Sequence, residues 1–323
     1  MTDGADPSEP TRQRFQPAPA AARDRPVIGL ALGSGAARGW AHLGVLRALE
    51  AEGVVPDLIA GCSIGAFVGA AAASGYLDKL TGWVEGLKWQ DVVSMLDVSL
   101  RGGLIRGQRL IDFFERNFVD RDFSALDASF ACVATDLASG REIWLHEGSV
   151  AAAVRASIAL PGLFTPVVHD GRVLVDGGLV NPVPVSLCRA MGADIVIAVE
   201  LGSDMVGRAW RRAALEPALP EESEANWSER LFTRLRFGVT EPRAEEALPS
   251  LVSVLTGSIN IMQTRIARSR LAGEPADVLI APRVGQLGLM DYHRAAEAIA
   301  EGEAAVARAR PLLRFVLERE REG

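Results

Sequence analysis

Cysteine is scarce in this chain: three in 323 residues, Cys62, Cys132 and Cys188. An odd count this low gives no disulfide framework and fits a reducing compartment. Histidine is nearly as scarce, with four, and no Cys/His cluster has the spacing of metal ligands. No block of lysine and arginine stands out and the formal net charge is −7, so no nucleic-acid partner is expected. Residues 1–25 hold proline, alanine and charge but no apolar h-region. They read as a disordered tail and not as a signal peptide. One uncharged run, Leu58 to Leu77, has the length of a membrane span. Gly61, Gly65, Gly69 and Gly75 interrupt it, so it reads as a buried strand followed by a buried helix. A cytoplasmic protein is expected, at most peripheral at the inner membrane surface.

What is abundant is apolar: 49% of residues are hydrophobic, enough for the core of one large α/β domain. Val27–Leu32 is continuously apolar, as a buried parallel strand is. A helix pattern follows from Trp40 to Glu52, stopped at Gly53 in the manner of a C′ residue. Leu58–Ala60 is the next strand. This βαβα order implies a mostly parallel sheet covered by helices. Further strands are predicted at Phe130–Thr135, Arg141–Leu145, Ile195–Val199 and Val278–Pro282. Val167–His169 and Arg172–Val175 form a hairpin around Asp170-Gly171. Helices are predicted over Leu80–Phe118 with a bend at Gly102-Gly103, Val150–Ile158, Val252–Leu271, and Tyr292–Glu320 with a kink near Pro311. Residues 203–248 are charged and carry Pro217, Pro220 and Pro242. They read as a candidate lid or flexible insertion. Within it, residues 227–237 have apolar side chains at near-helical spacing beside arginines, a candidate peripheral membrane contact. A surface helix packed on its own domain is the alternative.

Chemistry concentrates in three places. Gly61-Cys62-Ser63-Ile64-Gly65 is a G-x-S-x-G pattern between a strand and a helix. Such an elbow exposes the serine hydroxyl at a helix start, where negative charge is favoured. Gly33-Ser34-Gly35-Ala36-Ala37-Arg38-Gly39 offers small residues and backbone N–H groups between a strand and a helix, a cradle for an oxyanion. A dinucleotide loop is the rival, but the G-x-G-x-x-x-G spacing and the following serine elbow disfavour it. Asp176 closes an apolar strand, and Gly177 and Gly178 let another segment come close. Alone, Asp176 also reads as a turn residue capping its own backbone. A base must take the Ser63 proton. His42 reads as a packed core histidine, and His146, His169 and His293 stand in no setting that marks a triad. Asp176 is better placed, and a Ser–Asp pair is expected to keep activity to fairly low pH.

Taken in order, these three motifs resemble the patatin-like phospholipases, most closely their bacterial branch related to neuropathy target esterase. Ala156–Phe164 also resembles a segment of that family. The resemblance implies a three-layer α/β/α fold with a mostly parallel central sheet, spanning residues 26–315, with 316–323 ending the last helix. It implies an enzyme that hydrolyses acyl esters of phospholipids, lysophospholipids or other lipids through a Ser–Asp dyad. Carried over, Ser63 is the nucleophile, Asp176 the base, and Gly35 and Ala36 the oxyanion donors, with Gly33, Ser34, Arg38 and Gly39 shaping the loop. Gly61, Gly65, Gly177 and Gly178 support the motifs. A lipid or ester substrate and no cofactor or metal are implied. Ser34 and Ala36 stand where the family commonly has glycine. Two alternatives remain: a regulatory or scaffolding protein on a hydrolase fold, and a Ser–His–Asp esterase using His293 or His169.

Overall fold

The computed structural model describes residues 25–94, 105–119, 121–204 and 251–322. The expected features at residues 1–24, the Gly102-Gly103 bend, and nearly all of the 203–248 insertion, with the 227–237 stretch, lie outside the described residues. Eight strands form one mixed sheet: β1 (Ile28–Leu32), β2 (Leu58–Cys62), β3 (Ser129–Asp136), β4 (Glu142–Leu145), β5 (Val167–His169), β6 (Arg172–Asp176), β7 (Ile195–Val199) and β8 (Val278–Ile280). Their order is β5-β6-β3-β2-β1-β7-β8, with β4 paired to β3 off this path. Five neighbouring strands, β3-β2-β1-β7-β8, are parallel. β4, β5 and β6 run antiparallel to their neighbours.

The helices are α1 (Ala41–Ala51), α2 (Ile64–Ala73), α3 (Leu77–Glu85), α4 (Trp89–Ser94), α5 (Gln108–Asn117), α6 (Val150–Ser157), α7 (Val185–Ala190), α8 (Leu251–Gly273) and α9 (Ala295–Glu322). They cover both faces. Alternate residues of β1 show why: Ile28, Leu30 and Leu32 pack with α1, α2, α6 and α9, while Ala31, and Val27 just before the strand, pack with α7 and Ala267 of α8. A strand apolar on both sides needs a helical layer on each. The result is the three-layer α/β/α architecture.

Several local expectations hold. Gly53 ends α1 at φ 75°, in the left-handed region. The Asp170-Gly171 turn has positive φ at both residues, 48° and 73°, as a tight hairpin requires. The uncharged Leu58–Leu77 run is β2, α2 and the turn after them, nearly all buried. Among the described helices none is long and apolar enough to cross a membrane. Others change. The long helix expected over 80–118 is divided among α3, α4 and α5. α7 falls in a stretch too short and too buried to show a helical period.

At β1 the chain order reverses: β2 lies on one side and β7 on the other. Connections leave the C-terminal ends of these strands in opposite directions and open a crevice there. Gly33 follows the end of β1 and Ser63 the end of β2. β6 runs the other way, and its last residue, Asp176, pairs with Ala134 of β3, beside the position where Val133 pairs with Cys62. An antiparallel strand thus delivers its C-terminal residue to the crevice from outside.

Candidate active site

Ser63 stands between β2 and α2 with φ 55° and ψ −122°. A non-glycine residue there is strained, and such strain persists only where the surroundings enforce it. The flanking glycines explain how the turn fits. A Cβ on Gly61 would run into the backbone of Ala66, and one on Gly65 into the carbonyl of Leu32. The Ser63 carbonyl accepts from Ala66 and Phe67 N–H at 2.9 and 3.2 Å, which starts α2 at the serine itself.

The Ser63 hydroxyl donates to Oδ2 of Asp176 at 2.6 Å. Oδ1 of the same carboxylate accepts the Gly178 N–H at 2.7 Å. One side chain therefore makes two contacts: it caps its own turn and it faces the serine. Gly177 sits against backbone and has no room for a Cβ, whereas Gly178 faces side-chain atoms only. A Cβ on Gly177 would strike the Val133 carbonyl, and one on Gly178 would strike Gln263. Asp176 is 1% exposed. Burial pushes its pKa up from 3.8 to about 6, against the opposing hydrogen bonds from Ser63 and Gly178. Were Asp176 the base, its acid limb would fall near 6 and not at the ordinary aspartate value. A base near 6 falls close to the ordinary histidine range, so pH dependence alone does not separate a Ser–Asp from a Ser–His site.

In the glycine-rich loop the N–H groups of Gly33, Ser34 and Ala37 are committed to the carbonyls of Val199, Pro182 and Leu289, at 3.0, 2.8 and 3.2 Å. Gly35 and Ala36 lie between them. Arg38, 2% exposed, donates from Nε to the Gly35 carbonyl at 3.1 Å. In a trans peptide the N–H points opposite to the C=O, so this contact turns the Ala36 N–H away from Arg38. Ala36 carries its side chain at φ 50°, in the left-handed region; a glycine there would be unstrained. A Cβ on Gly39 would overlap Ile64, next to Ser63.

The histidines sort themselves. His42 is fully buried, its Nε2 lies 2.8 Å from the Gly33 carbonyl, and burial lowers its pKa to about 4. Neutral, it donates to that carbonyl and steadies the loop. His169 sits on the hairpin 3.5 Å from Asp170, and His293 packs edge-on against Trp89. Cys62, beside Ser63, is buried, which pushes its thiol well above the ordinary range and leaves it inert as a nucleophile. Among the described residues no three or more His, Cys, Asp or Glu side chains gather as a metal would require.

Ser63 and Ala36 open on a cleft of about 780 Å³. Its walls are apolar, lined by Trp40, Phe67, Trp83, Leu110, Leu160 and Phe164 among others. Sequence reasoning found the polar groups and missed this wall, because its residues come from seven separate segments and read individually as core.

A serine elbow facing a buried carboxylate stands on an α/β/α sheet, and comparison with known proteins gives the family of the chain. The patatin family model, described as patatin-like phospholipase, matches residues 30–189. An NTE family protein of Mycobacterium tuberculosis is 35% identical over 91% of this chain and 95% of its own length. Patatin-like phospholipase domain-containing protein 6 of Homo sapiens is 35% identical over 55% of this chain, which covers 13% of that protein. Lysophospholipase nte1 of Aspergillus fumigatus is 33% identical over 55% of this chain and 12% of its own length. The chain belongs to the patatin-like phospholipase family, in its NTE-related branch.

Proposed function

We propose that this protein is a serine hydrolase that cleaves acyl esters of lysophospholipids or related lipids through a Ser63–Asp176 dyad. The observation that carries the reading is the 2.6 Å hydrogen bond from Ser63 to Asp176 at the head of an apolar cleft. The names of the similar fungal and animal proteins agree with a lipid substrate.

The chemistry follows from the geometry. Asp176 Oδ2 takes the Ser63 proton as Oγ attacks the ester carbonyl carbon. The carbonyl oxygen becomes an oxyanion facing the Gly35 and Ala36 N–H groups and the start of α2. Collapse expels the alcohol, which leaves with the proton from Asp176, and the acyl group stays on Ser63. Asp176 then deprotonates a water that attacks the acyl-enzyme. The second collapse frees the fatty acid and returns the proton to Ser63. A carboxylate raised toward neutrality is a stronger base than an ordinary aspartate. The apolar cleft holds the acyl chain during both halves.

The test is labelling by a fluorophosphonate probe of wild type, Ser63→Ala and Asp176→Asn in parallel. Labelling that needs both residues supports the dyad and leads to a screen of single-chain and double-chain esters. Labelling that survives Asp176→Asn but is lost in His293→Ala or His169→Ala moves the base to histidine. A folded wild type without labelling or turnover supports the regulatory or scaffolding reading.

A further inference from the structure

We propose that Ser157 is a positioning residue for the dyad, its hydroxyl bolting the strained Ser63 peptide to strand β3. The inference rests on reading Ser63 as the nucleophile. The Ser63 N–H donates to Oγ of Ser157 at 2.9 Å, and the same hydroxyl donates to the Val133 carbonyl at 2.7 Å. A hydroxyl has one proton; it goes to Val133, and a lone pair faces Ser63. Ser157 is 0% exposed, so no bulk water stands ready to replace it. Two residues on, the Ala159 carbonyl accepts the Asp176 N–H at 2.9 Å. One short stretch at the end of α6 therefore grips the backbone of both dyad residues. Thr135 Oγ1 holds the Asp176 carbonyl from β3 at 2.8 Å.

The consequence is kinetic. With alanine at 157 the elbow peptide loses its anchor, Ser63 relaxes from its strained dihedrals, and Oγ leaves Asp176. Substrate is held by the cleft, so KM stays and kcat falls, by on the order of 10²-fold for a displacement of this kind. A second signature is in the pH profile. The Ser63 hydrogen bond holds the Asp176 carboxyl down; without it the acid limb moves to higher pH. Among the described residues, the other titratable groups that sense Asp176 are Cys62 and Tyr292, and burial keeps both protonated across that range.

The experiment uses the full chain as wild type, Ser157→Ala, Ser157→Cys and Ser74→Ala, with p-nitrophenyl butyrate turnover from pH 4.5 to 8.5, fluorophosphonate labelling rates and thermal melts. Ser74 is the control: it is also buried, and its hydroxyl donates at 2.8 Å to Ala70 near the far end of the elbow helix. The expected result is a kcat for Ser157→Ala on the order of 10²-fold below wild type with KM within about 2-fold. Its acid limb shifts upward, Ser157→Cys falls between, and Ser74→Ala keeps wild-type kinetics. Wild-type labelling and turnover in Ser157→Ala overturn the inference alone. So does a parallel loss in Ser157→Ala and Ser74→Ala that tracks melting temperature, since that is a purely structural role. A folded wild type that neither labels nor turns over overturns the reading of Ser63, and this inference with it.

Discussion

Ser63 Oγ and Asp176 Oδ2 lie 2.6 Å apart although 113 residues separate them in the chain. Strand β3 stands between their strands, so the contact depends on β6 running antiparallel and ending level with the elbow. The Asp176 carboxylate receives two hydrogen bonds and, among the described residues, no ion pair. Burial therefore dominates its electrostatics and raises its pKa to about 6.

The first prediction is the pH–rate profile. Under the proposed function, kcat/KM for a short-chain ester falls tenfold per pH unit below an acid limb near 6, because only the carboxylate form of Asp176 can accept the Ser63 proton. Initial rates between pH 4.5 and 8.5 on stable protein check this. A limb near the ordinary aspartate value would mean that Asp176 is solvated during turnover or is not the base.

The same burial has a stability consequence of opposite sign to activity. Asp176 is raised from 3.8 to about 6, so the folded chain holds its proton more tightly than the unfolded chain. Keeping it charged costs ~3 kcal/mol above about pH 6, a cost relieved as pH falls from 6 toward 4. Asp176→Asn should therefore be inactive yet more stable at pH 8, with the gain gone below about pH 4. His42, lowered to about 4, loses stability over the same fall in pH, but it is common to both proteins and cancels in the comparison. Urea denaturation of the pair at pH 8 and pH 4 gives the answer, and equal stability at pH 8 would contradict the desolvation.

Much of this was legible in the sequence because the informative residues are local. β1, β2 and β7 are continuous apolar runs, and the elbow and Asp-Gly-Gly are short strings with a steric reason for Gly61, Gly65 and Gly177. What was not legible is tertiary. No local pattern shows that burial moves Asp176 to about 6. Nor does one show that Ser157 reaches Ser63, or that Leu110 and Phe164 share a cleft with it. Nor does a local pattern explain Gly44 and Gly302, whose reason is the crossing of α1 with α9.

At that crossing the two backbones touch. A Cβ on Gly44 would overlap the Ile299 carbonyl, and one on Gly302 the Ala41 carbonyl. Backbone lies on both sides, so no flexible side chain can yield. Gly44→Ala should destabilise the protein by about 1–3 kcal/mol despite alanine's better helix propensity. The pair Gly44→Ala with Gly302→Ala should cost less than the sum, because the first substitution already separates the helices. Urea midpoints of the three variants test it; strict additivity would show that the helices do not move as bodies.

The cleft sets the last prediction. If the acyl chain lies along the apolar wall below Ser63, each added methylene that stays inside gains ~0.8 kcal/mol of transfer free energy. log(kcat/KM) then climbs with chain length and levels off where the cleft ends. Leu110 lines this cleft from α5 and carries none of the polar groups around Ser63. Leu110→Trp fills part of the acyl space without touching the dyad. Acetyl and butyryl esters should turn over as in wild type, while the plateau moves to shorter chains and long-chain esters lose at least about tenfold in kcat/KM, the worth of roughly two methylenes. A matched series of p-nitrophenyl esters from two to sixteen carbons reads this directly. An unchanged series would place the acyl chain elsewhere. A uniform drop at every length would mean that tryptophan at 110 disturbs the dyad itself.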